Sequence, residues 1–280
     1  MQYSILSRYA KVNVCFEPFL HVVIDDALSG TLLSHLESAF TDLENCFQHN
    51  NSPNNTLFLR RASEYLPVSP DFHGLMSGNL VLKFLRYHLS SSFLTQVLSL
   101  FSSSICHSTP FLGIDITPGS PVPCFPRYLR KHSLLNSLNP AEDHFLLDVQ
   151  LCLNTPVTIP DTTVIRPHID DRNKFFNALL YLRPDHDDLP GGDLCLHESL
   201  NRWETKAGDK VESRDIWQPS NNKIVKTIEY RKNRLVLFFN SNSSVHSVST
   251  RPVTPFMRRY INFTCDYSRN FFTSASPYFT

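Results

Sequence analysis

The chain has 280 residues, 41% of them hydrophobic, and its 26 Lys and Arg balance its 26 Asp and Glu. That length can bury a sizeable core. Zero formal net charge excludes the overall basic field of a nucleic-acid or anionic-membrane binder, so neither partner is expected. The cysteines Cys15, Cys46, Cys106, Cys124, Cys152, Cys195 and Cys265 are scattered, odd in number and form no C-x-x-C. They predict a reduced, cytoplasmic chain rather than a disulfide framework or a structural zinc site. No secretory signal is apparent, and no apolar run reaches the ~18 residues that a membrane span needs.

In chain order, Leu20–Asp26 is short, apolar and β-branched and predicts a strand with a turn. Thr31–Phe40 places Leu32, Leu33, Leu36 and Phe40 on one helical face. Residues 41–79 are rich in Asn, Ser and Pro and predict loop. From Asn79 to Phe101 a second helical pattern carries Leu80, Phe84, Leu85, Leu89, Phe93, Val97 and Phe101, with Ser90-Ser91-Ser92 expected to break or kink it. Both helices are expected to pack on a sheet. Residues 108–145 read as a long surface excursion with many Pro and Gly, of the kind that lids and binding loops use.

From Leu146 the pattern turns to strands. Leu146–Leu153, Thr163–Ile169, Phe175–Arg183, Asp193–His197, Arg234–Asn240, Val245–Ser249 and Arg258–Cys265 are the candidates, punctuated by Gly191-Gly192 and by Pro and Asn positions. Short strands without intervening helices predict an antiparallel jelly roll. The expected fold is mainly β with helices (α+β). It is a double-stranded β-helix, cupin-like, with N-terminal supporting helices. One domain is expected over 1–280, with 1–145 as helical support and loops and 146–266 as the β-helix core.

Within that core, His168-Ile169-Asp170 sits at a strand end, where residues i and i+2 share a face. His246 follows the apolar stretch Leu235–Phe239 and a turn-like Asn-Ser run. Two imidazoles and one carboxylate suit non-haem Fe(II) with open coordination positions. Taken singly, each of these residues reads as part of a buried polar network. Their combination with Arg258-Arg259, a basic pair suited to an anionic co-substrate, favours the metal. His186-Asp187-Asp188 repeats the motif between Pro184 and Pro190, and reads as a loop or surface feature. His197 is a weaker competitor, read as structural.

The blocks RPHIDDRNKFFNALLYLRP, LPGGDLCLHE and RLVLFFNSNSSVHSVSTRPVTPFMRRYINF resemble the Fe(II)/2-oxoglutarate-dependent oxygenases of the prolyl 4-hydroxylase-like branch, over about residues 146–266. PFLHVVIDDALSG resembles the usual start of such proteins, whereas 41–145 carries no motif of that family. The resemblance implies iron held by His168, Asp170 and His246, with 2-oxoglutarate as co-substrate and O₂ as oxidant. It also implies a basic residue on the last core strand pairing with the distal carboxylate of 2-oxoglutarate, where bidentate geometry suits Arg. Arg258 and Arg259 compete for that role. Alternation favours Arg258, because Ile261 and Phe263 then face the helices. Tyr181 matches a family position that helps hold the same carboxylate, with core packing as its other reading. The carboxylate at Asp170 disfavours halogenation and leaves hydroxylation as the default. The implied reaction decarboxylates 2-oxoglutarate to succinate and CO₂ and oxidises an unactivated C–H.

Substrate contacts are less legible. Arg166 is two residues before His168 and, by alternation, shares its face. It would bind a substrate carboxylate or close a salt bridge. Lys174 and Arg172 read as surface charges or as the pocket rim. Gln150 and Asn154 lie on a neighbouring strand, with a turn or ladder role open for Asn154. Three functions are compatible with this: hydroxylation of a small metabolite such as an amino acid, free or carrier-bound; hydroxylation of a peptide or protein side chain; and non-catalytic, cupin-like binding.

Overall fold

A computed structural model describes residues 3–7, 13–47, 54–62, 79–108, 123–127, 144–161, 165–199, 222–241 and 243–268. Ten strands and three helices carry the site. The strands are β1 (His21–Ile24), β2 (Leu57–Arg61), β3 (Cys124–Pro126), β4 (Phe145–Asn154), β5 (Lys174–Tyr181), β6 (Leu194–Ser199), β7 (Asn222–Ile228), β8 (Leu235–Phe239), β9 (His246–Val248) and β10 (Arg258–Tyr267). The helices are α1 (Gly30–Phe47), α2 (Leu80–Tyr87) and α3 (Ser91–Ser108).

A major sheet runs in the order β1-β8-β5-β10-β4-β2, with β3 pairing parallel to β4. A minor sheet runs β7-β6-β9. Apart from β3, every pairing is antiparallel. This is the expected double-stranded β-helix.

β10 explains why the sheet has two chemically different faces. Its register sets Tyr260 opposite Tyr181 and Cys152, and Asn262 opposite Leu179 and Gln150. Alternation then sends Ile261, Phe263 and Cys265 outward into a core shared with Leu32, Leu36 and Phe40 of α1, Phe84 of α2 and Phe93 of α3. Tyr181, Cys152 and Tyr260 face inward against Leu194, Leu196 and Ile228 of the minor sheet.

The helix pattern is explained by its caps. Asn79 Oδ1 accepts from Leu82 N (3.1 Å) and starts α2. The serine run does divide the pattern: Ser90 Oγ donates to Tyr87 O and accepts from Phe93 N, closing one helix and opening the next.

Several expectations differ from the structure. α1 extends seven residues beyond Phe40, to Phe47. β2 lies inside the segment read as loop, and β3 inside the segment read as surface excursion. β7 was not expected at all. Residues 165–169 form no strand. His168 instead makes a single two-way backbone pairing with His246, and residues 162–164 lie outside the described set. Most of the excursion also lies outside it.

Candidate metal and co-substrate centre

His168 and His246 exchange backbone hydrogen bonds at 3.0 Å in both directions, which sets their rings side by side with centroids 4.3 Å apart. Each imidazole is oriented by its own turn. His168 Nδ1 bonds Arg166 O at 2.8 Å, and His246 Nδ1 bonds Ser244 O at 2.9 Å. A carbonyl can only accept, so each Nδ1 carries the proton and each Nε2 keeps a lone pair. Both Nε2 atoms face Asp170, at 3.9 and 3.7 Å from its two carboxylate oxygens. The three ligand atoms lie within 4.8 Å of one another, the one such group of three among the described residues.

Asp170 is fixed from three directions. Lys174 Nζ donates to its Oδ1 (3.1 Å), Asn177 Nδ2 donates to Oδ2, and Asn240 Nδ2 reaches the backbone carbonyls of Asp170 (3.4 Å) and Asp171 (2.8 Å). Burial opposes ionisation of Asp170, but Lys174, His246 and His168 together outweigh it and hold the carboxyl well below the usual carboxylate range. Burial, then the neighbouring His168, pushes His246 down to about 4, against the pull of Asp170. Near neutral pH His246 is a neutral imidazole and Asp170 a carboxylate, and with the His168 ring they make the donor set suited to Fe(II) with positions left open.

Along the same inner face lies a second polar group. Arg258 is 3% exposed. Its Nε donates to Gly192 O (2.7 Å), its Nη1 to Asn154 Oδ1 (3.3 Å), and its guanidinium stacks 4.6 Å from the Tyr260 ring centroid. Arg258 Nη2, Asn154 Nδ2 and the Tyr181 hydroxyl are buried with no hydrogen-bond partner of good geometry among the described residues. Burial raises Tyr181 to about 12, so its hydroxyl keeps its proton and is a donor. Three unsatisfied donors around one buried cation fit a missing carboxylate.

Arg259 points the other way. It forms a two-toothed ion pair with Glu44 of α1, and its backbone N donates to Tyr230 Oη (2.7 Å). Of the two arginines, Arg258 is the one on the inner face.

The remaining sequence candidates separate clearly. Lys174 is not a surface charge but a partner of Asp170. Asn154 sits with Arg258, and Gln150 bonds Asp148 and Asn262 deeper along the sheet. Arg166 is exposed, and its backbone carbonyl is the group that serves the site. Asp187, read as loop or surface, lies in a loop but is 3% exposed and paired with Arg251 at 2.7 and 2.8 Å. His197 bonds Ser247 Oγ (2.8 Å) and is not part of the metal group.

Two contributors escaped sequence reasoning. Asn177 follows Asp170 by seven positions, and only the strand register brings it back. Gly191 and Gly192 registered only as punctuation. Gly192 has φ +80°, and a Cβ there would meet Arg258 Cδ at 3.1 Å and Arg251 Cδ at 3.2 Å. The rule that a doublet of glycines permits close approach was the available signal for Gly191 and Gly192, and Asn177 had none.

Residues 157–264 match the model of the 2OG-Fe(II) oxygenase superfamily. None of the curated proteins compared with the chain matches it. Among solved structures, a prolyl 4-hydroxylase from Phytophthora capsici is similar over 88% of this chain and 58% of its own, at 15% identity and a TM-score of 0.43. A prolyl hydroxylase from Trichoplax adhaerens, in complex with a hypoxia inducible factor peptide fragment, is similar over 88% and 83%, at 15% identity and a TM-score of 0.44. HygX from Streptomyces hygroscopicus, with nickel and 2-oxoglutarate bound, is similar over 88% and 82%, at 11% identity and a TM-score of 0.41. The matched segment includes His168, Asp170, Tyr181, His246 and Arg258, and is the part of the chain similar to the 2OG-Fe(II) oxygenase superfamily.

Proposed function

Starting from residues 157–264 as a 2OG-Fe(II) oxygenase domain, we propose that the protein hydroxylates an unactivated C–H of a small metabolite such as an amino acid, free or carrier-bound. His168, Asp170 and His246 would hold the iron. Arg258, with Tyr181 and Asn154, would hold the distal carboxylate of 2-oxoglutarate. The observation that carries this reading is the pairing of a three-ligand group within 4.8 Å with a buried arginine surrounded by unsatisfied donors on the same sheet face.

When bound, Fe(II) and 2-oxoglutarate supply oxidative decarboxylation to succinate and CO₂, coupled to oxidation of the substrate C–H. The chain's own residues orient and protect. The backbone carbonyls of Arg166 and Ser244 place the proton of each neutral ring on Nδ1 and aim Nε2 at the site. Lys174 and Asn177 keep Asp170 ionised and fixed. Arg258, Tyr181 and Tyr260 line a dry end of the sheet, where a carboxylate–guanidinium bond is stronger than in water.

The test is succinate release from 2-oxoglutarate with Fe(II) and O₂, screened against free amino acids, carrier-bound amino acids and peptides. Release stimulated by a small metabolite and abolished in Asp170→Ala is expected. Release stimulated by peptides alone would move the reading to a peptidyl hydroxylase. Full release by Asp170→Ala would remove the ligand assignment.

A further inference from the structure

The inner face next to the metal group carries a set of oxygens that no described residue satisfies. Thr264 lies opposite Asn177 on β5 and opposite Asp148 on β4. Asn262, one inward position earlier on β10, lies opposite Leu179 and Gln150. Side chains so paired share one face and touch or nearly touch across the strands. Asn177 Oδ1, Asn262 Oδ1 and Thr264 Oγ1 are all buried atoms without a hydrogen-bond partner. Asn177 and Thr264 are 5% and 1% exposed.

The direction of each amide is fixed by a carboxylate. The Asp148 carboxylate, ion-paired with Arg61, can only accept, so Gln150 Nε2 must donate to it (2.9 Å). Gln150 Oε1 is then the acceptor for Asn262 Nδ2 (3.2 Å), and Asn262 Oδ1 is left over. Asn177 Nδ2 donates to the Asp170 carboxylate, and Asn177 Oδ1 is left over. Two independent chains of hydrogen bonds thus end in a free carbonyl oxygen, with the Thr264 hydroxyl between them. Flipping either amide would set an oxygen against a carboxylate or against another amide oxygen.

Unmet buried acceptors are costly, and a native fold keeps them where a ligand satisfies them. The surrounding charges do not choose the ligand: Asp148 and Asp266 are offset by Arg61 and Arg127, and Asp170 by Lys174. The acceptors choose it. Resting on the oxygenase reading above, we propose that Asn177, Asn262 and Thr264 form a substrate subsite for a nitrogen group bearing at least two N–H bonds, an amine or a primary amide, held beside the metal. This end of the sheet is distinct from the donor-lined end at Arg258, which takes a carboxylate. Donors therefore meet the co-substrate, and acceptors meet the substrate.

The experiment is anaerobic equilibrium dialysis of the full chain, loaded with Fe(II) and 2-oxoglutarate, against a panel of free L-amino acids, their primary amides and their N-acetyl derivatives. The visible band of the iron–2-oxoglutarate chelate is recorded in the same samples. Retention of at least one free amino acid or its primary amide about tenfold above its N-acetyl counterpart is expected, and the free acid and the amide tell the two nitrogen sources apart. Thr264→Val and Asn262→Leu, which remove acceptors with little change of volume, are each expected to weaken retention roughly 3- to 10-fold while the band persists. Equal retention of the N-acetyl derivatives, unchanged retention by both variants, or no retention of any panel member overturns the subsite. Absence of the band in the wild type contradicts the iron and 2-oxoglutarate reading instead, and amine retention by that same protein still decides the subsite.

Discussion

Arg258 and Arg259 are adjacent, equally charged and both buried, yet they face opposite sides of one strand. Arg258→Ala should raise the 2-oxoglutarate requirement roughly 10- to 150-fold in a succinate assay, since a charge-assisted hydrogen bond contributes about 1.5–3 kcal/mol. Its thermal stability should change far less. Arg259→Ala should do the reverse. It strands Glu44 against the sheet, which costs on the order of 3 kcal/mol for a nearly buried pair. Melting and 2-oxoglutarate titrations of the two variants separate the roles, and a swapped result would refute the facing argument. Asp170→Ala should abolish Fe(II)-dependent turnover, because the one anionic donor of the three-ligand group is lost. The facing of the two arginines was legible in the sequence, since strand alternation favours it once Ile261 and Phe263 are assigned to the helix side. Asn177 was not legible, because its partner Asp170 lies seven positions away across a turn that no residue periodicity describes.

At the scale of elements, the turn at Gly191-Gly192 serves β10 through space. Gly192→Ala would place a methyl against Arg258 Cδ in a left-handed backbone conformation. It should weaken 2-oxoglutarate binding by roughly tenfold, an upper-range effect of a lost hydrogen bond, while Fe(II) binding, read separately, stays within about twofold. The helix layer makes a prediction about pH. His88 Nδ1 donates to Phe84 O and Nε2 accepts from Ile5 N, so the ring has no site for a second proton. Burial therefore lowers it from 6.5 to about 3 despite the Phe84 carbonyl. The unfolded chain then binds more protons than the folded one between those values, and stability falls as pH drops below about 6.5, by about 3 kcal/mol at pH 4. In His88→Gln this component of the acid slope should vanish from denaturant unfolding measured across pH 4–7; an unchanged slope would exclude His88 as its source. The central strands and the helices were readable because burial writes a period of 2 or 3.6 into them. β2 and β7 were not readable. β2 is a five-residue edge strand ending in two arginines, and β7 is an exposed edge with lysines on it, so neither carries a buried face to signal. The expected strand before His168 failed for the opposite reason. Its sequence resembles a strand, but among its described residues only His168 pairs in both directions, and Ile165 O accepts a single bond from Val248 N (3.2 Å).

For the whole molecule, the N-terminal part is not an appendage. β1 pairs with β8 and β2 with β4, so the first 61 residues supply both ends of the major sheet path. The outward face of that sheet, including Phe145, Phe176, Ile261 and Phe263, is covered by α1, α2 and α3 in a continuous core. A single cooperative unfolding transition is therefore expected for the full chain, and residues 144–268 alone should not yield a cooperative melt. Two separate transitions would contradict the expectation of one domain. The same arrangement explains the division of chemistry: the helices seal one face with apolar side chains, which leaves the other face free to concentrate its polar groups around His168, Asp170, His246 and Arg258.

The most direct test of the central claim is an anaerobic titration of the metal-free protein with Fe(II) and then 2-oxoglutarate, following the weak visible charge-transfer band of the chelate. A saturable band is expected in the wild type, with its loss in His168→Ala and His246→Ala, and its appearance only at much higher 2-oxoglutarate in Arg258→Ala. A wild type that binds Fe(II) but forms no band, or a band that survives both histidine substitutions, would contradict it.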